Sequence, residues 1–272
     1  MIPVPVLTVF AKTDRGLVRA HNEDAIAFDV QAGVAVLADG MGGYNAGEVA
    51  SRMATEIVRD ELVHAGQQEG VCREHGHARM LEAMQTANRL ILEKAGNEPA
   101  CRGMGTTVVA TWFRQHHVVL AHLGDSRCYR LRRGELTQLT HDHSRVQEQV
   151  DAGTLSADEA RFASNKNLIT RAMGVAPHID ADVSVHALEP GDLYLLCSDG
   201  LSDMLTQQEL LAMVAQDDGD LELLAEALVL AANQRGGHDN ISVMLIGVVA
   251  VPDSDTDTGG PLARFSKWLR RS

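Results

Sequence analysis

The stretch GVAVLADGMGGYNAG, residues 33–47, decides how the rest of the chain is read. Val34, Ala35, Val36, Leu37 and Ala38 form a short, unbroken apolar run, and a carboxylate, Asp39, ends it. A run of that length bounded by glycines reads as a buried β-strand. Gly40, Gly42 and Gly43 follow, with Met41 among them. They are not a P-loop, because no G-x-x-x-x-G-K-[ST] occurs in the chain. Gly40, with no Cβ, lets its own carbonyl approach a ligand closely. Gly42 and Gly43 suit a tight turn into the next element.

The same arrangement recurs along the chain. LYLLCSDGLSD ends an apolar run in Asp199-Gly200, and VVLAHLGDSR ends one in Asp125. Asp239-Asn240 and Asn22-Glu23-Asp24 each precede a strand-like run. One acid at a strand end is ordinarily a turn residue or a helix N-cap. Five such ends, brought together, would repel one another unless a divalent cation neutralised them. Oxygen-only ligands suit Mg²⁺ or Mn²⁺ rather than Zn²⁺.

Strand patterns extend over residues 4–11, 25–30, 34–38, 105–113, 117–123, 128–132, 135–140, 182–188, 193–197 and 240–249. RLRRGELTQL reads as a hairpin with Gly134 at its turn. Helical spacing of apolar residues predicts helices over 46–65, 77–95, 207–215 and 221–233. Strands in blocks and helices in pairs predict an α+β fold of antiparallel sheets with helices packed outside. A strict βαβ order is absent, which disfavours a Rossmann fold. Residues 144–170 are polar and irregular, with a helical piece SADEARF, and read as an insertion that serves as a lid or as a plain surface excursion.

Composition narrows the function. Of 272 residues 45% are hydrophobic, enough for a large core, and 37 acidic against 24 basic residues disfavour nucleic acid as a partner. Cys72, Cys101, Cys128 and Cys197 form no C-x-x-C pair, so zinc-ribbon readings fail and reduced thiols in a cytoplasmic protein are expected. No apolar run approaches a membrane span, and the N-terminus lacks the basic region of a signal peptide. No cysteine has the downstream arginine of a Cys-phosphatase loop, and DSDTDT fits neither a D-x-D-x-T nucleophile nor an EF-hand. Residues 251–272 shift to Asp, Ser, Thr, Gly and Pro, then to Phe265, Trp268 and Leu269 among Arg264, Lys267, Arg270 and Arg271. A flexible tail is expected there, with a docking or membrane-surface helix as the alternative.

The pieces VRAHNEDA, VLADGMGGYNAGEVAS, GMGTTVVA, AHLGDSRCYRLRRGELTQLTHDHS, ITRAMG, LCSDGLSDML and GGHDNISVML lie in this order across residues 8–249. Together they resemble the metal-dependent protein phosphatases of type 2C, in their bacterial Ser/Thr phosphatase branch. The resemblance implies a four-layer α-β-β-α sandwich of two antiparallel sheets flanked by helices, spanning residues 1–250 with a flap at about 144–170. It implies a centre of two Mn²⁺ or Mg²⁺ ions. Asp39 matches the bridging ligand, the Gly40 carbonyl a second-metal ligand, and Asp199 and Asp239 further ligands. Glu23 matches a residue that holds metal-bound water, Asp24 a neighbouring acid, and Asp125 with Asp199 a third metal site. Arg19 matches the phosphate-binding arginine. The implied reaction is hydrolysis of phosphoserine or phosphothreonine by a metal-activated hydroxide, reversing a eukaryotic-type Ser/Thr kinase. The expected partners are that kinase and its phosphoproteins, and the expected state is a cytoplasmic monomer. Met41 stands where many eukaryotic members carry a histidine proposed as general acid. His21, His141 and His143 lie near in the motifs, each more simply structural, and the acid is unassigned.

Overall fold

The computed structural model describes residues 4–42, 46–68, 73–160, 163, 168–215 and 219–252. Gly43, Cys72, part of the 144–170 insertion and the tail beyond Pro252 lie outside the described residues.

The unbroken run at the opening stretch forms β3, Val34–Met41. Side chains alternate across a strand, so each face of β3 must meet a different core. Val34, Val36 and Ala38 join one cluster with α1 (Ala46–Gln67) and α2 (Arg73–Asn97). Ala35 and Leu37 join another, between two sheets. The run lacks polar residues because both faces are covered.

β3 pairs with β2 (Asp24–Asp29), β4 (Gly105–Thr106) and β5 (Val108–Arg114); β6 (His117–Leu123) and β9 (Asp182–Ala187) complete this sheet. The second sheet has the order β1, β11, β10, β7, β8. Its strands are Val6–Asp14, Ile241–Ala250, Leu193–Cys197, Arg127–Arg132 and Glu135–Gln138. Every pairing is antiparallel. Tyr194, Leu196, Met244 and Ile246 of this sheet face Leu37, Val109, Phe113 and Leu120 of the other. Phe113 and Tyr194 meet edge-to-face, with ring centroids 5.2 Å apart. The outer face of the second sheet, with Leu195, Cys197, Val243 and Leu245, is covered by α5 (Asp199–Ser202), α6 (Gln207–Val214) and α7 (Leu221–Gln234). The result is the expected four-layer sandwich.

Several boundaries differ from the sequence reading. β1 runs on through polar Lys12, Thr13 and Asp14, because β11 supplies ladder partners there. The run 105–113 divides into β4 and β5 at Thr107, whose N–H donates to the Asp39 carbonyl at 2.9 Å. The insertion opens with α3 (Arg145–Asp151), N-capped by Ser144, and continues with α4 (Ala157–Ala160) inside the expected helical piece. The β7–β8 hairpin turns at Arg133 and Gly134, both at positive φ, as a two-residue primed turn requires. Among the described residues no helix is long and apolar enough to cross a membrane.

Candidate active site

The strand ends that carry acids meet at one edge of the sandwich. The β2–β3 register sets Asp24 directly across from Asp39. Three groups fix Asp39 by its backbone: its N–H donates to Thr107 Oγ1 at 3.0 Å, and its carbonyl accepts from Thr106 Oγ1 at 2.8 Å and from Thr107 N–H at 2.9 Å. Asp199 opens α5 directly after β10, and Asp239 lies just before β11. Asn240 joins this edge to the 15–23 segment. Its Nδ2 donates to the Arg15 and His21 carbonyls, both at 2.9 Å, and its Oδ1 accepts from Glu23 N–H at 2.8 Å.

Gly40 is set by close approach. A Cβ there would stand 2.1 Å from the Gly47 carbonyl oxygen and 2.6 Å from that of Glu23. The first turn of α1 therefore lies directly on β3. A Cβ on Gly47 would stand 2.8 Å from Glu23 Oε1, so the Glu23 carboxylate lies at this helix start, where the dipole favours an anion. Ser51 Oγ donates to the Glu23 carbonyl at 2.5 Å.

The electrostatics are those of acids crowded out of water. Burial, and then the charges of Asp24, Asp199, Asp125 and Asp239, hold Asp39 well above the usual carboxylate range. Burial and the charges of Asp125, Asp203, Asp239 and Asp24 do the same to Asp199. Burial pushes Asp24 up to about 6, against hydrogen bonds from Ser242 and Ser198 that favour its anion. Asp125 rises to about 7, through burial and then the charge of Asp142. Glu23 is also raised, mainly by burial. Arg19 is half exposed and paired with Asp239 at 2.5 Å. Burial lowers its pKa, but the hydrogen bond to Asp239 and the charges of Asp239, Asp39 and Asp199 outweigh this, and the net shift is upward.

Buried polar atoms are normally paired. Here Asp24 Oδ1, Asp125 Oδ1 and Asp199 Oδ1 are buried without a hydrogen-bond partner. Unpaired buried carboxylate oxygens beside further acids are a costly arrangement that divalent cations would relieve. The donor set therefore fits hard, oxygen-preferring ions.

The structure thus brings Asp24, Asp39, Asp125, Asp199 and Asp239 into mutual influence and sets Arg19 at their solvent side. Sequence reasoning missed the scaffold: Thr106, Thr107, Ser198 and Asn240. The TT of GMGTTVVA and the Asn of HDNIS were the available signals. It also missed a network beside Asp125. Arg127 grips the Asp142 carboxylate through both Nε and Nη2 and donates from Nη1 to Tyr129 Oη at 3.0 Å.

A second cluster, His122, His143 and Asp182, has one ligand-type atom from each within 4.8 Å of the others. Its hydrogen bonds argue for fastening rather than metal binding. His143 Nδ1 accepts from Gly124 N–H at 3.1 Å, which leaves the proton on Nε2, and that atom faces Asp182 and the Arg171 cation. His122 Nε2 is engaged by the backbone of His141. The buried His143 is thus structural, while His141 pairs with Asp151 at 2.7 Å.

Comparison with known proteins agrees with the sequence motifs. The protein phosphatase 2C family model matches residues 18–228. The chain is 37% identical over 238 residues to the serine/threonine phosphatase stp of Listeria monocytogenes, covering 86% of this chain and 93% of that one. It is 39% identical over 246 residues to the serine/threonine protein phosphatase PstP of Mycobacterium tuberculosis, covering 90% of this chain and 45% of that one. The crystal structure of the PstP catalytic domain in complex with two manganese ions superposes with a TM-score of 0.80 at 37% identity, over 90% of this chain and 99% of that one. Stp1 from Staphylococcus aureus gives 0.84 at 29% identity, over 91% and 97%.

Proposed function

Because the chain belongs to the protein phosphatase 2C family and is a serine/threonine protein phosphatase, we propose that its acid cluster is the active centre and holds two Mn²⁺ or Mg²⁺ ions. Asp39, the Gly40 carbonyl, Asp199 and Asp239 would hold them, with Glu23 acting through water and Asp125 with Asp199 serving a third ion. Such ions supply neutralising charge and a water acidic enough to attack phosphorus near neutral pH.

The chain's own residues do the rest. Arg19 binds the phosphoryl oxygens, a task that suits a planar, permanently charged fork. Its exposure and its pairing with Asp239 leave it free to exchange one anion for another. Thr106 and Thr107 hold Asp39 in place, and Ser198 donates to Asp24 Oδ2 at 2.8 Å. Preorganised groups of this kind need no rearrangement during the reaction. The observation that carries the reading is the set of three buried, unpartnered carboxylate oxygens beside Asp39.

The substrates are Ser/Thr-phosphorylated proteins, made by a eukaryotic-type kinase, and the enzyme acts as a cytoplasmic monomer. Residues 1–250 are assigned to the catalytic domain. The test is hydrolysis of p-nitrophenyl phosphate and a phosphothreonine peptide, with Mn²⁺ or with EDTA. Wild type should require Mn²⁺, and Asp39→Ala should lose at least about a hundredfold in kcat/KM. Activity in EDTA, or an active Asp39→Ala, would refute the centre.

A further inference from the structure

Two pairs of apolar side chains adjoin the acid cluster. Leu17 and Val18 are 67% and 64% exposed and directly precede Arg19. Their segment is firmly held. Gly16 N–H donates to Asp14 Oδ1 at 2.8 Å, Leu17 N–H to the Gly237 carbonyl at 2.8 Å, and Asn240 Nδ2 grips Arg15 and His21 on either side. A Cβ on Gly237 would come 3.0 Å from Leu17 Cγ, so Leu17 lies over the loop that leads to Asp239.

The second pair adjoins Gly40. Val175 is 65% exposed. A Cβ on Gly105 would come 3.0 Å from Val175 Cγ2 and 3.4 Å from Met41 Cε, so Val175 and Met41 converge over Gly105. This segment is also fixed. Buried Asn88 accepts from Gly174 N–H at 2.7 Å and donates to the Ala176 carbonyl at 2.9 Å.

Single exposed aliphatic residues are ordinary. Apolar groups on two rigid segments, each beside a proposed phosphate- or metal-binding residue, are the arrangement of a recognition surface. A phosphoamino acid at Arg19 and Asp39 would bring its sequence neighbours against these groups. We propose that Leu17 and Val18, with Met41 and Val175, form a subsite that selects phosphopeptides bearing a bulky apolar residue directly beside the phosphorylated one. The inference rests on the reading of Arg19 and Asp39 as the phosphate site.

The test compares two phosphothreonine peptides that differ only at the flanking positions, Leu in one and Gly in the other, with p-nitrophenyl phosphate alongside in Mn²⁺. Wild type should favour the Leu peptide by roughly tenfold in kcat/KM, mostly through KM, as burial of one aliphatic side chain implies. Leu17→Ser/Val18→Ser should reduce the preference to about twofold, and Val175→Ser should reduce it in part. Equal kcat/KM for both peptides in a wild type that cleaves p-nitrophenyl phosphate would overturn the subsite and leave the phosphatase centre standing. So would a full preference retained in both variants. Wild type inactive on all three substrates would overturn the centre, and the subsite with it.

Discussion

Gly40 is held by backbone on two sides, the Gly47 carbonyl of α1 and the Glu23 carbonyl beside β2. Neither is the flexible end of a side chain, so an added methyl group can be accommodated only by moving α1 away from β3. Gly40→Ala should therefore lower Tm by several degrees and reduce Mn²⁺-dependent p-nitrophenyl phosphate turnover by more than about tenfold. Thermal melting and initial rates check this, and a wild-type melt and rate would contradict the packing. Asp39 illustrates the same dependence on neighbours. Its proposed role follows from the family resemblance, but its backbone is held by Thr106 and Thr107, 67 and 68 residues further along the chain.

At the scale of an element, α6 shows how a short helix is made stable. Eight residues are too few for an isolated helix. Thr206 accepts from Glu209 N–H, while the Glu209 side chain accepts from Thr206 N–H, which completes a capping box. Arg235, at the C-terminal end of α7, then holds both Glu209 carboxylate oxygens and ties the two helices together. Thr206→Ala should cost about 1 kcal/mol in urea unfolding. The Arg235 hydrogen bond, then the Thr206 backbone and side chain, hold the Glu209 carboxyl down at about 2, below its ordinary 4.5. The stability this gives is present above pH 4.5 and is lost as pH falls through about 2. The stability gap between wild type and Glu209→Gln should accordingly close on acidification, and a gap independent of pH would contradict the pairing.

For the whole molecule, the fold collects buried carboxylates at one edge, and the proposed cations would balance their charge. Burial pushes Asp24 and Asp125 up to about 6 and about 7 in the folded chain, from the ordinary 3.8 of an exposed carboxyl. Between these values the folded state holds more protons, so metal-free stability falls as pH rises from about 4, and Asp39 and Asp199, raised in the same direction, add to the fall. Cations compete with those protons. Mn²⁺ in excess should therefore raise Tm more at pH 7.5 than at pH 5, measured against EDTA by differential scanning fluorimetry. Equal shifts at both pH values would contradict the placement of cations among these carboxylates.

The sequence by itself determined the main strands and helices, while their four-layer order was implied by the family resemblance. Apolar runs 34–38 and 193–197 announced buried strands, helical spacing announced α1 and α7, and acids at run ends marked the edge where the proposed centre lies. These are local signals, because side-chain period and turn residues act within a few positions. Tertiary structure alone decided which acids meet. Asp24 faces Asp39 through the β2–β3 register, Ser198 reaches Asp24 across 174 residues, and Asn240 clamps Arg15, His21 and Glu23 from the far end of the chain. The one-turn helix α5, the break between β4 and β5 and the stacked His122–His143 pair were equally hidden. Each depends on contacts between separated segments, such as Thr107 N–H on the Asp39 carbonyl and Gly124 N–H on His143 Nδ1, which form only when the chain has folded.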